Sequence, residues 1–400
     1  MSTGARYGLL AALYGSQFIP LAFFLFGLPA ILRAQGTPLE QLGLLHLIGL
    51  VWVVKFLWAP LVDRFGSRRL GHYRGWLLIT QALIIVGVLA VSPLDVADDL
   101  PLLIAAIAVI GVLSATQDIA ADATAVRLLE PSQRGVGNGI QKAGGYFGLM
   151  VGAGGGLLVY DRWGWPTAVG FLAVLTALPM PVLLRYREAV ETAGTRPRIT
   201  MRILADFFRQ PGAARWAFAV QPLYLSGIAV ASPLAAVMLV DAGWDLPQIG
   251  TLSIIGGGSV AIVAALVAGS TVSKVGRQHA LIAFGVSQVV AIGALLVLAG
   301  GIDGGLPGLI AVGVLSAASA ATGTAVYTIN MDWCRTETAA TDYTVQDSLV
   351  ELCLQLTGAT GLALAGVFGY QGVLVLAMLL SMAGVAAVTA VFRPRLAAAL

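Results

Sequence analysis

Residues 102–126 read LLIAAIAVIGVLSATQDIAADATAV, an apolar run that ends in a segment with two carboxylates. Asp118 and Asp122 are four residues apart, which places both side chains on one face if the segment is helical. An ionisable group at membrane depth is costly unless it faces a cavity or a partner, so such groups are functional candidates. The stretch therefore predicts a membrane helix that carries two functional carboxylates near one end.

The composition of the whole chain agrees with an integral membrane protein. Its 400 residues are 58% hydrophobic and only 11% charged, with a mean hydropathy of +0.88, whereas soluble domains contain about 25% charged residues. The net charge of +3 is too small to indicate binding of nucleic acid. No apolar segment ends in a small-residue cleavage site, so we expect no removable signal peptide.

The cysteines and histidines do not predict a metal site, and we expect no metal and no other cofactor. The two cysteines lack metal-ligand spacing and are predicted to be free thiols, and the three histidines lie far apart in sequence. These residues are Cys334 and Cys353, and His46, His72 and His279.

Twelve segments are long and apolar enough to cross a bilayer, which requires about 20 residues. The first six are Tyr7–Leu32, Leu42–Val62, Gly75–Ser92, Pro101–Ala123, Val136–Tyr160 and Pro166–Leu184. The second six are Ala214–Val240, Ile249–Ser270, Ala280–Ala299, Leu306–Asn330, Tyr343–Gly366 and Gly372–Phe392. This pattern predicts an all-α integral membrane protein of twelve helices. We expect six-helix bundles at residues 1–185 and 214–400, joined by a cytoplasmic linker at residues 186–213.

The charges between these segments predict the orientation, because Lys and Arg concentrate in cytoplasmic loops. The junctions after even-numbered segments and the C-terminus are basic, with Arg64, Arg68, Arg69, Arg74, Arg185, Arg187, Arg196, Arg198, Arg202, Arg209, Lys274, Arg277, Arg393 and Arg395. Three junctions on the other side carry acids without Lys or Arg, namely Asp95, Asp98 and Asp99, then Asp241 and Asp245, then Asp303. Both termini are therefore predicted to be cytoplasmic.

The two halves are weak copies of each other. Residues 59–69 align with residues 269–279, Ser114 aligns with Ser316, and Ile140-Gln141 aligns with Val345-Gln346, at offsets of 210, 202 and 205 residues. Repeated six-helix halves with a substrate site where they meet are typical of secondary transporters.

The turn Asp63-Arg64-Phe-Gly66-Ser-Arg68-Arg69 resembles the loop signature of the major facilitator superfamily, although Ala59 stands where that signature usually begins with Gly. The predicted helix number, central linker and repeat extend this resemblance over the whole chain. The resemblance implies the major facilitator fold, with two pseudo-symmetric bundles that alternate access to a site between them.

A narrower resemblance rests on KFLWAPLVDR at 55–64, QDIAAD at 117–122, and Glu130, Arg134 and Gly137. These segments are similar to those of the AmpG-type muropeptide permeases and the RhtX/FptX-type siderophore importers. The compact length, GNGIQ at 137–141 and YDRWGW at 160–165 are closer to the siderophore importers. The resemblance implies a monomer in a bacterial inner membrane that imports a siderophore or ferric siderophore with protons. The alternative is a permease for a muropeptide or another peptide-like solute.

Asp118 is the predicted coupling acid, with Lys55 as its counter-charge. A buried carboxylate can bind and release a proton as its access changes, because burial and a nearby Lys shift its proton affinity in opposite directions. The alternatives are a static ion pair with Lys55, and lysines that extend to the membrane surface. Residues predicted to line the coupling and substrate cavity are Asp118, Asp122, Lys55, Lys142, Glu351, Gln117, Gln141, Gln346, Gln355, Tyr14, Gln17 and Trp52.

We expect the signature turn to act as a cytoplasmic latch, in which Asp63 and neighbouring arginines make charge-assisted bonds that hold one state closed. The predicted latch residues are Asp63, Arg64, Gly66, Arg68, Arg69 and Arg134. The alternative for the arginines is membrane orientation alone. Because Ser273 replaces the acid in the second half, we expect a weaker latch or none there.

Other classes of function fit the sequence poorly. Ser259 and His279 lack the motif of an intramembrane serine protease, and no nucleotide-binding loop is present, so we do not expect an enzyme. A channel or a non-transporting sensor would not need two matched halves or the latch.

Overall fold

The computed structural model describes residues 1–38, 45, 47–67, 69–96, 98–188, 202–301 and 305–392. Within these residues the regular elements are helices, and the β-structure is one isolated bridge between Ser67 and Gly71. Helices satisfy every backbone hydrogen bond internally, as a segment surrounded by lipid requires. The predicted all-α class is confirmed.

The described residues contain nine helical segments long and apolar enough to cross a membrane. They are Thr3–Ala34, His72–Ala90, Leu100–Leu128, Arg134–Arg185, Ala213–Asp241, Pro247–Val275, Arg277–Ala299, Gly305–Trp333 and Thr336–Ala390. Arg134–Arg185 and Thr336–Ala390 contain 52 and 55 residues. At about 1.5 Å per residue, each is more than twice the roughly 30 Å thickness of a hydrocarbon core.

Two glycines divide the longest segments. Gly164 has φ 79° and Gly369 has φ 69°, a backbone conformation that favours glycine. Each glycine falls between two segments that the sequence predicts as separate spans, so each long segment can contain two crossings.

The second predicted span, Leu42–Val62, is broken in the structure. A short apolar helix, Ile48–Leu57, is followed by the helix Ala59–Arg64. Pro60 lacks an N–H donor and lies in the first turn of the second piece, where its ring fits, so the helix restarts there. Residues 39–44 and 46, which include His46, lie outside the described residues.

The chain forms two compact units. The first contains Met1–Leu129, Gly144–Ile203 and Cys334–Ser348, and the second contains Glu130–Ala143, Leu204–Trp333 and Leu349–Leu400. Each predicted half thus contributes one short segment to the unit built mainly from the other half. These two exchanged segments are related by the offset of about 205 residues found in the sequence.

Small residues allow the first exchanged segment to pack closely in the second unit. A Cβ atom at Gly139 would lie 2.7 Å from the carbonyl oxygen of Ala265. The linker region contains a helix at Arg202–Phe208, while residues 189–201, with Arg196 and Arg198, lie outside the described residues, as do 302–304 and 393–400.

Each unit has its own apolar core and an apolar exterior. The core of the first unit includes Phe23, Phe24, Ile107 and Trp165, all less than 9% exposed. The core of the second includes Ile228, Leu234, Ile292 and Leu374. Large apolar side chains are also exposed on both units, including Val86, Val174, Val263 and Val290, as expected of helices that face lipid.

Candidate functional site

Four charged side chains meet inside the first unit. Lys55 Nζ contacts Asp118 Oδ2 and lies 2.6 Å from Asp347 Oδ2. Carboxylate oxygens of Asp118, Asp122 and Asp347 lie within 4.8 Å of one another. The exposed fractions are 0% for Lys55, 8% for Asp118, 1% for Asp122 and 5% for Asp347. We call these four residues the buried ionic cluster.

Local structure explains how the cluster forms. Lys55 begins a short 3₁₀ turn, Lys55–Leu57, in the broken second span. Asp118 and Asp122 are on the same face of the Leu100–Leu128 helix, one turn apart. Asp347 comes from the exchanged segment Cys334–Ser348, so a residue far along the chain completes the cluster.

Neutral donors from the first helix also bind the two carboxylates of the Leu100–Leu128 helix. Tyr14 donates its hydroxyl hydrogen to Asp122 Oδ1 at 2.7 Å, and Gln17 donates an amide hydrogen to Asp118 Oδ1. The Trp52 carbonyl accepts a hydrogen bond from the Ser348 hydroxyl at 3.1 Å. Three of the predicted cavity residues, Tyr14, Gln17 and Trp52, therefore lie at or beside the cluster.

The cluster has unequal numbers of opposite charges. If all three carboxylates were ionised, one ammonium would face three negative charges in a buried site. Two carboxylates this close do not both ionise readily, because burial and repulsion oppose it. Carboxylate oxygens could also ligate a hard cation, but the Lys55 ammonium already stands among them. The arrangement is therefore suited to binding a proton.

Several predicted cavity residues have other neighbours in the structure. Gln117 donates to Gln81 Oε1, and Gln346 donates to the Asp342 carbonyl at 3.0 Å. Asp347, Glu351 and Gln355 lie one turn apart on the helix Ala339–Val391, but Asp347 belongs to the first unit while Glu351 and Gln355 belong to the second. Glu351 is half-buried and Gln355 is exposed.

Gln141 and Lys142 are in the exchanged segment Glu130–Ala143 of the second unit, and both are half-buried. The Lys142 ammonium lies 3.6 Å from the centre of the Tyr327 ring.

The Asp63 carboxylate binds the start of a helix. It accepts hydrogen bonds from the backbone N–H groups of Ala340 and Thr341 at 3.0 and 2.8 Å, and from the hydroxyls of Thr341 and Tyr73 at 2.6 Å each. The helix Ala339–Val391 begins at this point, and a carboxylate is favourable at a helix N-terminus. Burial raises the pKa of Asp63 above its usual range, although these four hydrogen bonds oppose the shift.

The other predicted latch residues of this turn contribute differently. The Arg64 guanidinium lies 5.5 Å from the centre of the Phe65 ring, Arg69 is exposed, and Arg68 lies outside the described residues. Gly66 is required by close packing, because a Cβ atom there would collide with the His72 ring.

The second unit contains an ionic network at the end of the helix Gly305–Trp333. Asp332 accepts from Arg134 at 3.0 Å and from Arg277 Nε at 2.8 Å, and Arg277 also donates to the Pro131 carbonyl at 2.6 Å. Arg134 was predicted as a latch residue, but Asp332 and Arg277 were not. The Ser273 hydroxyl, which replaces the acid, is buried without a hydrogen-bond partner among the described residues.

Sequence reasoning placed Asp347 on a polar stripe with Glu351 and Gln355, as a candidate wall of the cavity, but did not place it beside Lys55 and Asp118. The available signal was its position one turn before Glu351 in an apolar segment, which indicates a shared face but not which unit that face contacts. Asp332 had a similar signal, since it lies two residues after the apolar run Leu306–Asn330.

Comparison with known proteins agrees with this fold. The model of the Major Facilitator Superfamily matches residues 10–345. The anhydromuropeptide permease of Escherichia coli K12 is 32% identical over 292 residues, which is 71% of this chain and 58% of that protein. A putative transporter AmpG 4 of Rickettsia felis is 23% identical over 378 residues, 91% of each chain. The chain thus spans less than two thirds of the Escherichia coli permease.

Among solved structures, the human organic anion transporter MFSD10 (TETRAN) has a TM-score of 0.71 at 16% identity, covering 96% of this chain and 99% of the other. At that identity the likeness concerns the fold alone. It confirms the prediction of the major facilitator fold for this multi-pass membrane protein. With a family model that matches most of its length, the chain belongs to the Major Facilitator Superfamily.

Proposed function

We propose that this protein is a proton-coupled secondary transporter that moves a muropeptide or a related peptide-like solute across a bacterial inner membrane by alternating access. The observation that carries the coupling is the buried ionic cluster, in which three carboxylates surround one ammonium. The solute class is supported by the 32% identity to the anhydromuropeptide permease of Escherichia coli.

The contacts within the cluster favour Asp122 as the group that carries the proton, whereas the sequence favoured Asp118. Asp118 and Asp347 both contact the Lys55 ammonium as its ion-pair partners. Asp122 is the most buried of the three acids, and burial opposes the charged form of a carboxyl group. A proton on Asp122 would leave one excess negative charge in place of two.

The siderophore predicted from the narrower motifs is the second candidate solute. The relatives reported above lend it no support, so it rests on the sequence segments at 137–141 and 160–165. An orientation with both termini in the cytoplasm and a monomeric state remain predictions from loop charge and from the family resemblance.

The test is uptake of a radiolabelled anhydromuropeptide by proteoliposomes, with and without an inward proton gradient, beside a labelled ferric siderophore. We expect gradient-driven accumulation of the muropeptide. Asp122→Asn should lose accumulation but keep exchange of labelled for unlabelled solute, because the Lys55 contacts remain. If Asp118→Asn shows that pattern and Asp122→Asn accumulates normally, Asp118 is the coupling acid.

Other results would change the assignment of function. Accumulation of the siderophore alone would keep the mechanism and replace the solute. Saturable equilibration that ignores the gradient would leave a facilitator in which the cluster is structural, and unsaturable flux would indicate a channel.

A further inference from the structure

A small cavity lies at one end of the first unit, where the ends of four helices meet. These helices are Thr3–Gln17, His72–Ala90, Leu100–Leu128 and Met180–Arg185. The cavity has a volume of about 210 Å³, whereas a single water needs only about 10–15 Å³ of cavity. It therefore has room for a phosphate group together with several waters.

The charged side chains that line this cavity are mostly basic. Among the described residues they are Arg6, Arg127, Arg187 and Glu188, so the lining carries two more positive charges than negative ones. The Arg127 side chain is 18% exposed, Arg6 is half-buried and Arg187 is exposed. The positive charge thus extends from the interior of the unit to its surface. We call this site the basic cavity.

Glu188 forms part of the wall of the basic cavity. One carboxylate oxygen accepts a hydrogen bond from the backbone N–H of Arg74 at 2.9 Å, and the other lies 3.8 Å from the Arg127 guanidinium. The first contact is at the start of the helix His72–Ala90, where a carboxylate is favourable. The Arg127 guanidinium also lies 5.3 Å from the centre of the Tyr73 ring. Glu188 and Tyr73 therefore hold Arg127 at the cavity.

The chemistry of this lining favours a phosphate group that is attached to a lipid. The planar guanidinium group presents N–H donors whose geometry matches phosphate oxygens. Loop charge predicts that this end of the unit is cytoplasmic, and basic pockets between helices on that side bind the headgroups of anionic lipids. The helix Met180–Arg185, whose end borders the cavity, exposes 37% of Val182 and 60% of Leu184. These apolar side chains suit the acyl chains of a lipid.

We propose that the basic cavity binds the phosphate group of an anionic membrane phospholipid. Arg6 and Arg187 bind the phosphate oxygens, and Arg127 adds a third positive charge from the cavity wall. The site shares no residue with the buried ionic cluster, and it does not depend on the proposed transport function.

The test is native mass spectrometry of the purified protein in detergent, titrated with phosphatidylglycerol, whose phosphate carries one negative charge. The quantity measured is the dissociation constant of the first bound lipid. Arg6→Gln/Arg187→Gln should raise it about thirtyfold, because each basic residue near a membrane surface contributes a factor of about five. Arg187→Gln alone should raise it about fivefold, and this residue is exposed, so its replacement leaves the fold intact.

A matched control removes two arginines elsewhere in the same unit. Arg33→Gln/Arg162→Gln changes the net charge equally, both side chains are exposed, and Arg33 lies near the opposite end of the segment Thr3–Ala34 from Arg6. We expect this variant to bind phosphatidylglycerol as the wild type does. Thermal unfolding of each variant in detergent checks that the fold is retained.

Glu188→Gln separates phosphate binding from a purely structural role of the cavity wall. The glutamine keeps an oxygen that can accept the N–H of Arg74 but removes the negative charge. We expect phosphatidylglycerol to bind several-fold more tightly to this variant. Unchanged or weaker binding would contradict an electrostatic site for phosphate.

Three further outcomes would overturn the inference. Equal affinity of the wild type for phosphatidylglycerol and for phosphatidylcholine, which has no net charge, would exclude selectivity for an anionic lipid. Wild-type affinity in Arg6→Gln/Arg187→Gln would place lipid binding elsewhere. Displacement of the lipid by an equal concentration of glycerol phosphate would assign the cavity to a soluble phosphate compound instead.

Discussion

At the scale of single residues, Lys55 is the cation that compensates the carboxylates of the buried ionic cluster. It is fully buried and contacts two carboxylates that come from distant parts of the chain. Removing one partner of such a buried ion pair strongly lowers the free energy of unfolding, because the other charge then remains buried without compensation.

Lys55→Met should therefore destabilise the protein by roughly 3–5 kcal/mol, the range for breaking a buried ion pair. The double variant Lys55→Met/Asp118→Asn, which removes one of the stranded charges, should recover part of that loss. Thermal unfolding in detergent, followed by loss of monodisperse protein, measures both. A Lys55→Met protein that unfolds at the wild-type temperature would show that the cluster does not depend on its cation.

The residues of the buried ionic cluster also show how much of this site can be predicted from the sequence. The spacing of Asp118 and Asp122 predicted a shared face, and Lys55 was the obvious cation in the neighbouring span. Asp347 was not assigned to that site, because helical periodicity states which residues share a face but not which distant segment packs against it. Tertiary structure decided the membership of the cluster.

At the scale of the helix, Asp63 caps the start of the helix Ala339–Val391. Its four hydrogen-bond donors include two backbone N–H groups that have no partner within the first turn of a helix. The sequence predicted that Asp63 holds a latch but expected arginine partners. No sequence motif identifies which distant acidic residue will bind the N-terminus of a given helix.

Asp63→Ala should loosen the segment Cys334–Ser348, because four donors lose their acceptor. The reporter is the native thiol Cys334, in a Cys353→Ser background that leaves it as the single cysteine of the chain. We expect maleimide to label Cys334 about five- to thirtyfold faster, the factor that corresponds to 1–2 kcal/mol. Unchanged labelling would mean that the segment is held by its other contacts.

The raised pKa of Asp63 also predicts a pH dependence of this contact. The buried carboxyl binds a proton more tightly than the same group exposed, so the closed contact takes up protons and is stabilised as pH falls. This stabilisation is lost as pH rises from the usual Asp range, about 4, through the raised pKa. Labelling of Cys334, normalised to Asp63→Asn to remove the thiol's own pH response, should accelerate over that interval. A constant ratio would contradict the prediction.

At the scale of the whole molecule, the internal repeat and the exchange of segments belong together. The sequence predicted the repeat from alignments such as Gln141 with Gln346, and it predicted two bundles. It did not predict that Glu130–Ala143 and Cys334–Ser348 would each join the unit built mainly from the other half. That exchange depends on close packing at residues such as Gly139 and on the Asp63 contact, neither of which is periodic in sequence.

If this protein works by the proposed alternating access, we expect both exchanged segments to change their contacts in one concerted step. The network around Asp332 holds the first exchanged segment through Arg134, within the second unit, and Cys334 reports on the other segment, within the first unit. If the step is concerted, Arg134→Ala, which releases the first exchanged segment from Asp332, should accelerate the labelling of Cys334 even though Arg134 and Cys334 belong to different units. The matched control is Asp206→Ala, which removes an exposed ion pair with Arg209 in the second unit.

The size of the effect distinguishes concerted from local opening. In a concerted transition each variant weakens the same closed state, so the free-energy changes of Asp63→Ala and Arg134→Ala should add in the double variant, as for distant sites. Local fraying would leave Cys334 labelling unchanged in Arg134→Ala and would give the double variant the rate of Asp63→Ala alone. That second pattern would contradict a concerted movement of the two exchanged segments. The proposals about the proton site and the transported solute would be unaffected, because they have separate tests.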